Sequence, residues 1–144
     1  MMEALKGVVL AMPMARTLGL RFVHAEPGRV EVGIPVSEAF SFRPGQLQAT
    51  AVFAVADFAA VAAAGSVLPP GWTNATVDTT LKIVAPAQGE CLRARGRVVD
   101  AGRLLTVCAA DVWAVDAAGQ ERLCATLLAT ARSIDTGAPR PPPG

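Results

Sequence analysis

Residues 29–36 alternate cleanly: Val30, Val32, Ile34 and Val36 share one side, with Arg29, Glu31 and Gly33 between them. That period of two is the signature of a half-buried strand. Residues 18–26 read as its hairpin partner, joined to it through the turn Glu26-Pro27-Gly28. The same period returns after residue 75. Val77, Thr79, Leu81 and Ile83 alternate with Thr76, Asp78, Thr80 and Lys82, and Leu92, Ala94, Gly96 and Val98 alternate with Arg93, Arg95 and Arg97. Two longer strands, about 103–115 and 121–134, are split by Asp116-Ala-Ala-Gly119, and Pro86-Ala-Gln-Gly89 and Asp100-Ala-Gly102 supply the other turns.

Between the two groups of strands the pattern changes. Residues 37–46 hold Ser, Arg, Pro and Gly and read as a loop. Residues 47–66 are apolar almost without interruption and stop before Pro69-Pro70-Gly71, which predicts one helix buried on nearly all sides. Residues 3–11 predict a short amphipathic helix ended near Pro13, and the proline-rich tail 136–144 predicts disorder. Short turns between consecutive strands imply an antiparallel meander. One sheet and one apolar helix bury each other only if the sheet curls around the helix. The expected fold is therefore an α+β wrap, one domain over 1–135.

Composition narrows the class. Apolar residues make up 52% of the 144 and charged residues 17%, which favours burial of some surface by self-association. The net charge is +1 with no basic tract, so nucleic acid is not an expected partner. The N-terminus lacks the pattern of a signal peptide. The 47–65 run is Ala-rich and carries Gln48, Thr50 and Asp57, unlike a membrane span, so a cytoplasmic location is expected. Cys91, Cys108 and Cys124 form no CxxC pair and His24 is the only histidine, so neither a disulfide framework nor a metal site is expected.

Asp57 stands alone inside the apolar run, with no opposite charge nearby in sequence. Burying a carboxylate is costly and raises its pKa, which makes it a stronger base than a free one. The bland alternative is an aspartate bonded to a neighbouring backbone or to a dimer mate. Arg93, Arg95 and Arg97 read as a solvated outer face, with a phosphate-binding rim as the sharper alternative. Trp72 and Trp113 read as packing residues, Trp72 also being placed to border a pocket at the helix exit.

Three segments carry a resemblance: Arg43-Pro44-Gly45 before Ala54-Val55-Ala56-Asp57; Thr76 through Pro86-Ala-Gln-Gly89; and Val98-Val-Asp-Ala-Gly102-Arg103. In this order and spacing they resemble the hotdog-fold thioesterases of the phenylacetate-degradation type, over residues 18–135. The resemblance implies a curled antiparallel sheet around one long helix, and an acyl-CoA thioesterase assembled as a homodimer or homotetramer with sites between subunits. It implies no cofactor, the CoA moiety being part of the substrate. Asp57 falls on the family's catalytic acid, as general base or nucleophile. The helix N-terminus supplies oxyanion and substrate contacts, here Gly45, Ala49 and Thr50, with Gln48 as a side-chain donor. Gln48-Ala49-Thr50 replaces the family's common His-Gly-Gly, and Phe42 replaces a common loop Asn. Thr76 matches a hydroxyl residue that reaches the site across the dimer.

Two rivals remain on the same fold. A hydratase or dehydratase pairs an acid with histidine, and His24 lies away from the helix. A non-catalytic acyl-CoA or fatty-acyl-binding protein is favoured by the loss of His-Gly-Gly.

Overall fold

Residues Ala49–Gly65 form the long helix, α3. Ten of its 17 residues are buried and eight of those ten are alanine, which lets its backbone lie close against the strands beneath. The computed structural model describes residues 2–138. Before α3 come α1 (Met2–Leu10), α2 (Pro13–Leu18), β1 (Arg21–Glu26), β2 (Arg29–Pro35), a single 3-10 turn at Glu38–Phe40, and a small hairpin of β3 (Ser41–Arg43) and β4 (Gln46–Leu47). After it come β5 (Trp72–Ile83), β6 (Cys91–Ala101), β7 (Leu105–Val115) and β8 (Glu121–Asp135). The expected tail falls outside the described residues from 139 onward.

Six strands make one antiparallel sheet in the order β1-β2-β6-β7-β8-β5. It curls over α3, which packs on β2, β6, β7, β8 and β5. Val32, Ile34, Leu92, Cys108, Val112 and Leu127 point into the core with at most 1% exposure, as the period-two pattern predicts. The closest approach is at Gly96 on β6. A Cβ there would overlap the carbonyl of Ala59 and come within 2.8 Å of the Ala60 nitrogen, so α3 crosses β6 where neither chain carries bulk.

The meander is only partly sequential. Pro86-Ala-Gln-Gly89 does not fold β5 back onto β6 as expected; β5 pairs with β8 at the far side of the sheet. The reason is that β6 has no free edge, being held by β2 on one side and β7 on the other. Segment 84–90 instead crosses the end of the sheet. It is pinned there by Val84 N–H to Cys124 O (2.8 Å), Leu47 N–H to Ala87 O (3.0 Å) and Glu90 N–H to Val115 O (2.8 Å).

Three local expectations also change. Pro13 does not only end α1; it starts α2, where its missing N–H has no helical partner to lose. The 37–46 loop folds into the 3-10 turn and the β3–β4 hairpin, with Gly45 at φ 74 in its turn. Val77, grouped with Leu81 and Ile83 by the period of two, is 55% exposed, and a bulge between Thr76 and Asp78 shifts the register there on the edge strand. The arginines of β6 do lie on the outer face. Arg95 bonds Glu31 (3.2 Å) and Glu121 (2.8 Å) and covers the Trp113 ring at 5.5 Å, and Arg97 lies 4.0 Å from Asp111. Its pairing with Arg95 holds the Glu121 carboxyl below its ordinary range.

Candidate active site

One stripe of α3 is less covered than the rest: Thr50, Phe53, Asp57, Val61 and Gly65, spaced three or four residues apart. After the short 66–71 connection, β5 runs back antiparallel to the helix, and its alternate residues Asn74 and Thr76 line up against that stripe. The Thr76 hydroxyl donates to Asp57 Oδ1 at 2.9 Å, and Asn74 Nδ2 donates to the Val61 carbonyl at 3.0 Å. Thr76 therefore meets Asp57 within one chain, because the return path of β5 brings it there.

Asp57 is half-buried. Loss of water around its carboxylate pushes its pKa above the ordinary 3.8, and the Thr76 hydrogen bond pulls in the opposite direction. The fully buried Cys108 thiol is pushed up to about 11, first by burial and then by the charge of Asp57, and burial raises Cys124 to about 11 as well. Both thiols stay protonated and do not compete as nucleophiles. Asp57 and Thr76 sit at one end of a cleft of about 210 Å³, whose other walls include Leu5, Val8, Met12, Phe58 and Val61. Asp57 is its only charged lining residue.

The remaining candidate residues gather elsewhere. Gln48 is the N-cap of α3, but its side chain makes no capping bond and instead accepts from Thr50 Oγ1 at 3.4 Å. The backbone N–H groups of Ala49 and Thr50, in the first turn, have no partner among the described residues. Gln48 and Thr50 line a separate cleft of about 150 Å³ with Met14, Thr17 and Phe40. Gly45, at the tip of its hairpin, lines neither cleft. Asp57 lies nine residues beyond Gln48, about 13 Å along the helix axis. A single chain thus brings Asp57 and Thr76 together and keeps Gln48, Ala49 and Thr50 apart from them.

Asn74, Phe58, Val61, the α1 residues Leu5 and Val8, and Met12 before α2 were not legible as site residues. Asn74 and Trp72 had a usable signal, since they share the parity of Thr76 on β5. The α1 residues had none, because nothing local says where a short amphipathic helix docks. No group of three His, Cys, Asp or Glu side chains is placed to hold a metal among the described residues, and no helix there is long and apolar enough to cross a membrane.

A curled antiparallel sheet wrapped around one long helix is the hotdog fold. No family model matches the sequence, and no curated protein matches it. Solved structures do. A thioesterase family protein from Silicibacter pomeroyi aligns at 34% identity and TM-score 0.89, over 93% of this chain and 98% of that one. A thioesterase from Haemophilus influenzae aligns at 20% identity and TM-score 0.81, over 94% and 92%. The PaaI protein of the Escherichia coli phenylacetic acid degradation operon aligns at 19% identity and TM-score 0.76, over 89% and 88%. On the first of these, the chain belongs to the thioesterase family.

Proposed function

We propose that this protein is a thioester hydrolase acting on acyl-CoA, with Asp57 as general base. The observation that carries the proposal is the Asp57–Thr76 pair at the end of an otherwise uncharged cleft. Thr76 spends its proton on Oδ1, so its oxygen keeps lone pairs free. A water between them gives one hydrogen to Thr76 Oγ1 and the other to Asp57 Oδ2. Asp57 takes that second proton as the water oxygen bonds to the thioester carbonyl carbon, and the C=O electron pair moves onto oxygen. Collapse of the tetrahedral adduct breaks the C–S bond, and the thiolate leaves with the proton held by Asp57. The products are one acid and one thiol, with no metal or redox cofactor in the proposed reaction. Direct attack by Asp57, through an anhydride, is the second reading.

The oxyanion needs donors that one chain does not place beside Asp57. In the proposed homodimer, the N–H groups of Ala49 and Thr50 and the Gln48 carboxamide come from the second copy. The shape of the sheet supports this. β5 is a 12-residue edge strand with Val77 exposed and charges only at Asp78 and Lys82, whereas the opposite edge, β1, is half as long and carries Arg21, His24 and Glu26. Pairing of two β5 edges covers the longer open edge. Sedimentation at micromolar concentration is expected to give twice the 14.8 kDa chain mass or a multiple of it; a monomer that still turns over thioester contradicts the shared site.

A single turnover in heavy-oxygen water tests the base role. It is expected to release thiol and to label the product acid at once. Label found in Asp57, with the first acid unlabelled, refutes the base role. Thr76→Ala is expected to lower kcat about tenfold, the scale of one lost hydrogen bond. It also removes the bond that restrains the Asp57 pKa, so the acidic limb of the pH–rate profile moves to higher pH. Thr76→Ser restores both; an unmoved acidic limb in Thr76→Ala separates Thr76 from the base.

A further inference from the structure

Asn74 stands two residues before Thr76 on β5, and its amide Nδ2 donates to the Val61 carbonyl of α3 at 3.0 Å. Thr76 donates to Asp57 Oδ1 at 2.9 Å. The two contacts are successive rungs between the same two elements. Asp57 and Val61 are one turn apart on the helix, about 6 Å along its axis. Asn74 and Thr76 are about 6.6 Å apart along the strand. Because β5 runs back along α3, the order reverses and the two spacings match.

The helix does not need the Asn74 rung. A mid-helix carbonyl already accepts from the N–H four residues on, and the Asn74 amide takes its second lone pair. The strand does need it. Within the chain β5 pairs only with β8, and its other edge is open. Directly after Thr76 the pairing with β8 is interrupted: Thr76 faces Ala131 and Asp78 faces Thr130, which leaves Val77 without a partner. A bulge bends its strand and disrupts the local hydrogen bonds. Backbone pairing alone thus leaves β5 least constrained beside the residue that has to meet the carboxylate.

Resting on the thioesterase reading, we infer that Asn74 is a positioning residue: through the Val61 carbonyl it holds β5 in register against α3, so that the Thr76 hydroxyl reaches Asp57. Its effect on the reaction runs through Thr76. No other titratable side chain from α1 or β5 lines the cleft around Asp57. Cys108 of β7 feels the charge of Asp57, but its thiol is raised to about 11 and stays protonated. The acidic limb of the pH–rate profile therefore reports Asp57, and it moves when the Thr76 bond is lost.

The test measures kcat and the pH–rate profile for Asn74→Ala, Thr76→Ala and the double variant, with Ser66→Ala as control. Ser66 also ties α3 to the sheet, accepting from the Gly28 N–H at 2.8 Å and donating to the Ala63 carbonyl at 2.6 Å, but at the end of the helix away from Thr76. Asn74→Ala is expected to lower kcat about threefold to tenfold, up to the scale of one lost hydrogen bond, and to move the acidic limb to higher pH as Thr76→Ala does. In the Thr76→Ala background the same substitution is expected to change kcat by less than about twofold and to leave the limb in place, because the two residues act as one unit. Ser66→Ala is expected to lower the melting temperature with kcat and the limb unchanged. Should Asn74→Ala not fold, Asn74→Ser, whose hydroxyl stops one bond short of the amide nitrogen, carries the same comparison. A limb that Asn74→Ala leaves unmoved, a limb that Ser66→Ala moves as far, or losses that multiply in the double variant overturn the inference and leave the thioesterase reading standing. No thiol release by the wild type overturns both.

Discussion

Gly96→Ala is expected to cost about 3 kcal/mol of stability or more, or to leave no soluble protein. One added methyl group seldom does this, since overpacking a core usually costs 1–3 kcal/mol with some relaxation. Here relaxation is blocked. The new Cβ would meet the backbone of Ala59 and Ala60, not the end of a flexible side chain. Moving α3 off β6 would also open the contacts of Ala56, Ala59, Ala60 and Ala63, each 0% exposed. Gly7→Ala is the control. Its Cβ has nothing within 4 Å and it lies inside α1, so it is expected to be neutral or to stabilise by up to about 1 kcal/mol. Denaturant midpoints of the two variants decide the point, and equal midpoints would mean that helix and sheet are not packed as described.

Asp57→Asn is expected to lower kcat by about a hundredfold to ten-thousandfold, the usual worth of a positioned general base, with the fold retained. Its effect on stability has a definite sign. Burial raises the folded-state pKa of Asp57 above its unfolded value. Between those two values the folded state holds a proton that the unfolded state has released, so stability falls as pH rises through that window and stays lower above it. Asn has no such titration, and its carbonyl still accepts from Thr76. The variant is therefore expected to melt at or above the wild-type temperature at neutral pH, with the gap closing as pH falls below the ordinary carboxylate value of 3.8. In the wild type, kcat rises with pH through the same raised pKa. A large drop in melting temperature at neutral pH would show that Asp57 is held as a structural anchor.

Much of this architecture is local in origin and so was legible in the chain. The strands β2, β6, β7 and β8 alternate because one face is core and the other solvent, and the apolar run 47–66 had one sensible packing, under a sheet. Asp57 drew notice as the one charge in that run. Strand order was not local information. Nothing near Pro86 says that β6 is occupied on both sides, and only the whole sheet sends β5 to β8. The bulge at Val77 and the start of α2 at Pro13 were hidden for the same kind of reason, since each depends on a neighbour's register or docking. At the site, the period of two placed Thr76 on a strand but did not say that the strand returns along α3. The cleft under α1 depends on tertiary placement, which no spacing encodes.

The most direct measurement is thiol release from a panel of acyl- and aryl-CoAs, followed in parallel for the wild type and Asp57→Asn. Saturable release by the wild type, lost in a folded Asp57→Asn protein, is the predicted result. No release from any member, or equal release by both proteins, contradicts the account and favours a hotdog protein that binds acyl-CoA without cleaving it.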